Sequence, residues 1–141
     1  MKKRVLIICT GNSCRSQMAE GFLRHISNGA VEVFSAGTIP STVHPMAIHA
    51  MGEVGIDISH HTSKSVDQFV QQNFDYVITV CDTAKESCPF FPGAHRTLHI
   101  PFEDPVWFTG TKEERLEKFR QVRDQIKVKM KEFFRKELKK V

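Results

Sequence analysis

The run Val5-Leu6-Ile7-Ile8 ends on Cys9, and a helical pattern begins at Arg15. Four consecutive aliphatic residues, mostly β-branched, read as a buried strand. Beyond the break, Met18, Ala19, Phe22, Leu23 and Ile26 recur at helical spacing. A strand, a tight Gly-containing loop and an amphipathic helix form the opening unit of an α/β fold.

The loop Cys9-Thr10-Gly11-Asn12-Ser13-Cys14-Arg15-Ser16 can curl so that its backbone N–H groups converge on one point. The helix behind it adds unpaired N–H groups and the positive end of its dipole. Arg15 supplies a planar, bidentate clamp for a tetrahedral oxyanion. Together these favour the thiolate form of Cys9, and Ser16 can donate to the sulfur. The chemistry implied is nucleophilic attack by Cys9 on a bound phosphate-like anion. The plain alternative is an inert buried cysteine beside a solvated Arg15.

The rest of the chain alternates strands and helices. The first helix is expected from about Arg15 to Ile26, stopped by Asn28-Gly29. Val31 to Ser35 reads as a second strand. Pro45 opens a second helix with Met46, Ala47, Ala50, Met51 and Val54 on its apolar face and Gly55 as its stop. Ser65 to Gln71 suggests a short helix. Asp75 to Val80 is the third strand and Thr97 to Ile100 the fourth. Thr111 and Glu114 form a capping-box pattern, and Leu116, Phe119, Val122, Ile126, Met130, Phe133 and Leu138 then make one apolar stripe. This order predicts a parallel sheet with helices on both faces. Ligands bind at the carboxyl ends of such strands. Cys9 ends strand one, Cys81 ends strand three and Asp104 follows strand four, so all three are expected at one sheet edge.

Length and composition set the class. The 141 residues suit one domain, 1–141, and 40% hydrophobic with 26% charged residues is ordinary for a globular protein. No apolar run reaches membrane-spanning length, and the stretch after the basic start Met1-Lys2-Lys3-Arg4 is too short for a signal peptide. A cytoplasmic compartment is therefore expected, with no membrane partner. The net charge of +4 sits largely in the C-terminal segment, where interspersed acids and regular apolar residues read as a solvated helix face rather than a nucleic-acid surface. Four cysteines in such a chain point to catalysis, redox work or metal binding rather than a structural disulfide set.

At Cys9 to Ser16 the chain resembles the phosphate-binding loop of low-molecular-weight tyrosine phosphatases and of the thioredoxin-coupled arsenate reductases built on the same fold. Its continuation Ser16-Gln17-Met18-Ala19-Glu20-Gly21 is more similar to the reductases, because the phosphatases usually carry Pro at the place of Gln17. The resemblance implies a four-stranded flavodoxin-like sheet of order 2-1-3-4. It implies Cys9 as nucleophile, the loop Thr10, Gly11, Asn12, Ser13, Cys14, Arg15 and Ser16 as the oxyanion cup, and no organic cofactor because thioredoxin supplies the electrons. The expected partners are arsenate or another tetrahedral oxyanion and thioredoxin, and the expected state is a monomer.

Three further positions test the resemblance. Cys81 and Cys88 are separated by six residues. They can be inert core thiols, or zinc ligands with Cys9 and Cys14 at spacings loose for zinc. Sharing a sheet edge with Cys9 favours a redox reading for Cys81, and the resemblance implies that Cys9, Cys81 and Cys88 pass a disulfide to thioredoxin. Asp104, followed by Pro105, is either a turn carboxylate or a general acid. Both branches of the resembling family carry Asp-Pro here, with Glu103 as a local competitor. Cys14 is expected as a structural thiol against the sheet, able to form an off-pathway disulfide with Cys9.

The histidines His44, His49, His60 and His61 show no trusted ligand spacing and are expected at the surface or in packing, so no metal site is expected from them. Trp107, Phe90 and Phe91 are expected in the core or on the rim. Some similar reductases hold potassium through residues matching Asn12, Glu20 and Ser35 plus an Asp shortly after a Thr-Ser pair. Here Thr62-Ser63 is followed by Lys64, whose ammonium would replace that ion and pair with Glu20. The alternative is an ordinary solvated lysine.

A phosphatase acting on phosphotyrosine or a small phosphoester is the rival reading within the fold. A non-enzymatic oxyanion- or redox-sensing module is the rival from another class.

Overall fold

The computed structural model describes residues 2–82 and 90–138. Four strands, β1 (Lys3–Cys9), β2 (Val31–Gly37), β3 (Phe74–Thr79) and β4 (Ala94–His99), form one sheet. Its order is β2-β1-β3-β4 and every pairing is parallel. β1 is central because its run from Val5 to Ile8 is apolar on both faces and wholly buried. The register sets Cys9 against Gly37, so the end of β1 and the end of β2 coincide.

Alternation along β1 divides the core. Val5 and Ile7 face α1 (Arg15–Ser27), α2 (Pro45–Gly52) and α3 (Lys112–Phe133). Met18, Phe22 and Leu23 of α1, Met51 of α2, and Phe119, Ile126 and Met130 of α3 fill that layer. Burying each such side chain contributes roughly 1.5–3 kcal/mol. Leu6 and Ile8 face a smaller cluster with Phe69, Phe74 and Phe91. Among the described residues that second face is covered by a 3-10 turn, Val66–Phe69, and its aromatics rather than by an α-helix. Phe34, Phe69, Phe74 and Phe91 interlock there at centroid distances of 5.7–6.0 Å.

Several boundaries match local chemistry. Asn28 ends α1 in the left-handed conformation, φ 51°. Thr111 and Glu114 complete the capping box of α3. α2 stops at Gly52, three residues before the expected Gly55, because a looser turn follows in which Val54 N–H bonds Met51 O and Gly55 N–H bonds Gly52 O. α3 runs on into a π-turn, Phe134–Leu138. No helix of the described residues is long and apolar enough to cross a membrane.

Candidate active site

The loop from Cys9 to Arg15 is held from outside by its carbonyls. Thr38, Ile39, Ser41 and His44 N–H groups donate to the oxygens of Cys9, Thr10, Gly11 and Ser13, at 3.3, 2.9, 3.1 and 3.0 Å. Ser63 Oγ donates to Gly11 O at 2.9 Å, and Gln17 Nε2 to Asn12 O at 3.0 Å. Among the described residues no peptide bond is cis, so each N–H of the loop opposes the carbonyl of the residue before it. Carbonyls turned outward therefore turn the N–H groups of Thr10 to Cys14 inward, toward Cys9. Asn12 N–H reaches Cys9 Sγ at 3.3 Å. Asn12 itself takes φ 48°, a left-handed conformation that Asn tolerates.

Cys9 is a free, buried thiol. Ser16 Oγ lies 2.8 Å from its sulfur and accepts Asn12 Nδ2 at 2.8 Å. A cavity of about 840 Å³ opens over Cys9, with Arg15, Ile39, His44, Asp104 and Trp107 in its wall. Arg15 is 2% exposed and points to the loop after β4. Its Nη1 donates to Phe102 O and its Nη2 to Asp104 Oδ2, both at 3.3 Å. Asp104 caps the 3-10 turn Pro105–Trp107, accepting Val106 N–H on Oδ1 at 3.1 Å. Glu103 turns away to an ion pair with Lys118 at 2.8 Å, so Asp104 alone of the two carboxylates lines the cavity.

The family of low molecular weight phosphotyrosine protein phosphatases matches residues 4–141. The chain belongs to this family. An arsenate reductase of Shouchella clausii is 46% identical over 132 residues, covering 94% of this chain and 95% of the relative. A solved arsenate reductase in its phosphate-binding state is 39% identical with TM-score 0.81, covering 95% of this chain and 98% of that one. A thioredoxin-dependent arsenate reductase of Corynebacterium glutamicum is 29% identical with TM-score 0.61, covering 92% of this chain and 62% of that one.

Beyond the phosphatase-family loop, other expected positions fall differently. Cys81 is fully buried just past the end of β3 and is disulfide-bonded. Cys88 lies outside the described residues, as does most of the segment between the two. Cys14, expected against the sheet, is buried in the core cluster with Val5 and Ile7 of β1 and also borders the cavity, with Sγ 3.5 Å from Asp104 Oδ1. Burial first, then the Asp104 carboxylate and Cys9, push its thiol well up, so it stays protonated.

Glu20 is 5% exposed and accepts Ser35 Oγ at 2.5 Å and Arg24 Nη2 at 2.8 Å. Lys64 does not pair with it: Nζ donates to Thr62 O at 2.7 Å, while the Lys64 backbone N–H donates to Asn12 Oδ1 at 2.8 Å. The physical reason is reach. Arg24 stands one turn along α1 from Glu20 and takes the carboxylate first.

His61 is a packing residue with a specific place. Its side chain is 6% exposed, with Nδ1 2.9 Å from Gln17 Oε1 and Nε2 3.9 Å from Glu20 Oε2. Burial pulls its pKa down. Gln17, His61 and Ser63 thus brace the family loop from behind. Only the Thr62-Ser63 pair and Gln17 gave any sequence signal for this. His44 caps α2 through Nδ1, which accepts Met46 N–H at 3.0 Å. Phe91 is buried, whereas Trp107 and Phe90 are 75% and 85% exposed.

Proposed function

We propose that this protein reduces arsenate to arsenite, as a single-domain monomer in the cytoplasm, with thioredoxin as reductant. Arsenate enters the cup of Cys9, Thr10, Gly11, Asn12, Ser13, Cys14, Arg15 and Ser16. Arg15 exchanges Asp104 and Phe102 O for the anion's oxygens. Cys9 thiolate attacks arsenic, and Asp104 gives its proton to the departing oxygen, which leaves as water. Cys81 then attacks Cys9 sulfur. The sulfur–arsenic bond breaks and its electron pair stays on arsenic, so arsenite departs and Cys9 is disulfide-linked to Cys81. Cys88 attacks Cys81, freeing Cys9, and the dithiol of thioredoxin reduces the resulting disulfide. The thiols carry both electrons, so the scheme uses no organic cofactor and no metal.

One observation carries this reading. Phosphoester hydrolysis needs Cys9, Arg15 and Asp104 alone, yet a further buried cysteine, Cys81, lies just past the end of β3, the strand hydrogen-bonded beside β1. The relatives named above, which cover nearly the whole chain, support the same choice. A phosphomonoester hydrolase is the second reading. Family membership favours it, as does a cavity of about 840 Å³, far larger than a lone oxyanion. A sensing module would have no use for a proton donor at Asp104.

The test is NADPH consumption with thioredoxin and thioredoxin reductase on adding arsenate, beside a phosphoester hydrolysis assay. Arsenate-dependent turnover with slow hydrolysis is expected. Hydrolysis without arsenate turnover would select the phosphatase.

A further inference from the structure

Cys14 occupies the N-cap of α1, yet its side chain makes no capping hydrogen bond. Its thiol points across the cavity to Asp104 instead, with Sγ donating to Oδ1 at 3.5 Å. Val106 N–H donates to the same oxygen at 3.1 Å. Among the described residues Oδ2 is hydrogen-bonded by the guanidinium of Arg15, at 3.3 Å. The two carboxylate oxygens are therefore unequal. Oδ1 is fixed by two donors that belong to the protein. Oδ2 is held by the one group that must turn to the substrate when an oxyanion binds.

We propose that Cys14 is a positioning residue for the proton donor: its thiol and Val106 N–H hold Oδ1, so that Oδ2 carries the proton to the departing oxygen. This rests on Asp104 acting as the acid in arsenate reduction. When arsenate draws Arg15 away, Oδ2 loses its cation and faces an anion, and it takes up a proton from solvent through the cavity in place of the lost donor. The proton then passes from Oδ2 to the arsenate oxygen, which leaves as water, and the carboxylate returns to Arg15. A buried thiol suits the role because it stays S–H next to a carboxylate and does not compete with Cys9 as a nucleophile. Of the other charged groups nearby, Glu103 pairs with Lys118, while His44, its Nδ1 on Met46 N–H, shares the cavity wall with Asp104 and feels its charge.

A double-mutant cycle tests this. kcat/KM for arsenate is measured with the thioredoxin system for the wild type, Cys14→Ala, Asp104→Asn and the double variant. Inhibition by sulfate, a redox-inert tetrahedral anion, is measured on all four. Cys14→Ala is expected to lose roughly three- to tenfold in kcat/KM, the size of one modest hydrogen bond. The same change in the Asp104→Asn background should cost nothing further, and the sulfate inhibition constant should not differ between each Cys14→Ala protein and its parent. Cys14→Ser, which keeps a donor, should recover most of the loss. Equal losses in both backgrounds, sulfate affinity falling in step with kcat/KM, or no loss at all would overturn the proposal. If the wild type turns over no arsenate, the reductase reading falls alone. The same four proteins then report the cycle on phenyl phosphate, whose poor leaving group needs the same proton.

Discussion

Ser16 shows how one side chain is turned toward the Cys9 sulfur. Asn12 Nδ2 donates to its oxygen, so the hydroxyl proton is free to turn to Cys9 Sγ. The same Asn12 amide donates to Ser35, and Ser35 to Glu20. In the reaction proposed above the sulfur attacks with Ser16 O–H and Asn12 N–H beside it, whereas a serine hydroxyl in its place is a far weaker nucleophile. Cys9→Ser is therefore expected to abolish arsenate turnover and any phosphoester hydrolysis while still binding sulfate. Arsenite formation and calorimetric titration with sulfate check both halves, and sustained turnover by the variant would remove Cys9 from its role. Along the same chain of contacts, Glu20 already holds Arg24 and Asn12 Oδ1 already holds Lys64 N–H and Gln17 Nε2. The oxygens that would ligate a potassium ion thus face donors. Activity should be indifferent to exchanging potassium for sodium at fixed ionic strength. Marked activation by potassium would mean that the ion displaces Arg24.

At the scale of elements, the anion loop is shaped by its neighbour rather than by its own sequence. The segment after β2 takes four of its carbonyls, and the approach is close enough to exclude a side chain at the junction. A Cβ on Gly37 would stand 2.5 Å from Thr10 O and 2.8 Å from Asn12 N. Both are backbone atoms and cannot swing aside. Gly37→Ala is expected to displace the loop and lose about 1–3 kcal/mol of stability, as overpacking does. Its activity should fall further than its stability, because the N–H groups of the cup move with the loop. Urea unfolding alongside kcat/KM separates the two effects; a variant with wild-type activity would show that the loop does not need this contact.

Across the whole molecule, α2 and α3 are clamped through Glu53. Arg120 Nη2 and Arg123 Nη1 reach its carboxylate at 2.7 and 2.9 Å. Hydrogen bonding from Arg120, more than charge alone, lowers Glu53 from its ordinary value of 4.5 to about 2. A depressed carboxylate stabilises the fold above its unfolded value and loses that contribution as pH falls through its folded value. The melting temperature of the wild type should therefore exceed that of Glu53→Gln at neutral pH. The gap should close as pH drops from about 4.5 to about 2. A gap that stays constant over that window would mean the clamp adds nothing through charge. Because the clamp joins two helices on the far side of the core layer from the sheet, the substitution should leave kcat/KM for arsenate unchanged.

Local order was legible in the sequence wherever a short-range pattern causes it. The aliphatic run before Cys9, the Asn28 stop, the Thr111–Glu114 box and the apolar stripe of α3 each fix their element through contacts within a few residues. Strand–helix alternation likewise implied the parallel pairing of β1, β3 and β4, and with it a shared edge for the strand ends. The tertiary structure decided what depends on partners distant in the chain. Arg24 rather than Lys64 takes Glu20, because side-chain reach across a helix turn is invisible to spacing along a loop. Cys14 faces Asp104, ninety residues away, because the loop's curl turns its Cβ toward the cavity. His61 is sealed behind the loop because Gln17 and Glu20 of α1 close over it. Sequence patterns record the faces of elements; which side chains meet between them is settled only when the elements dock.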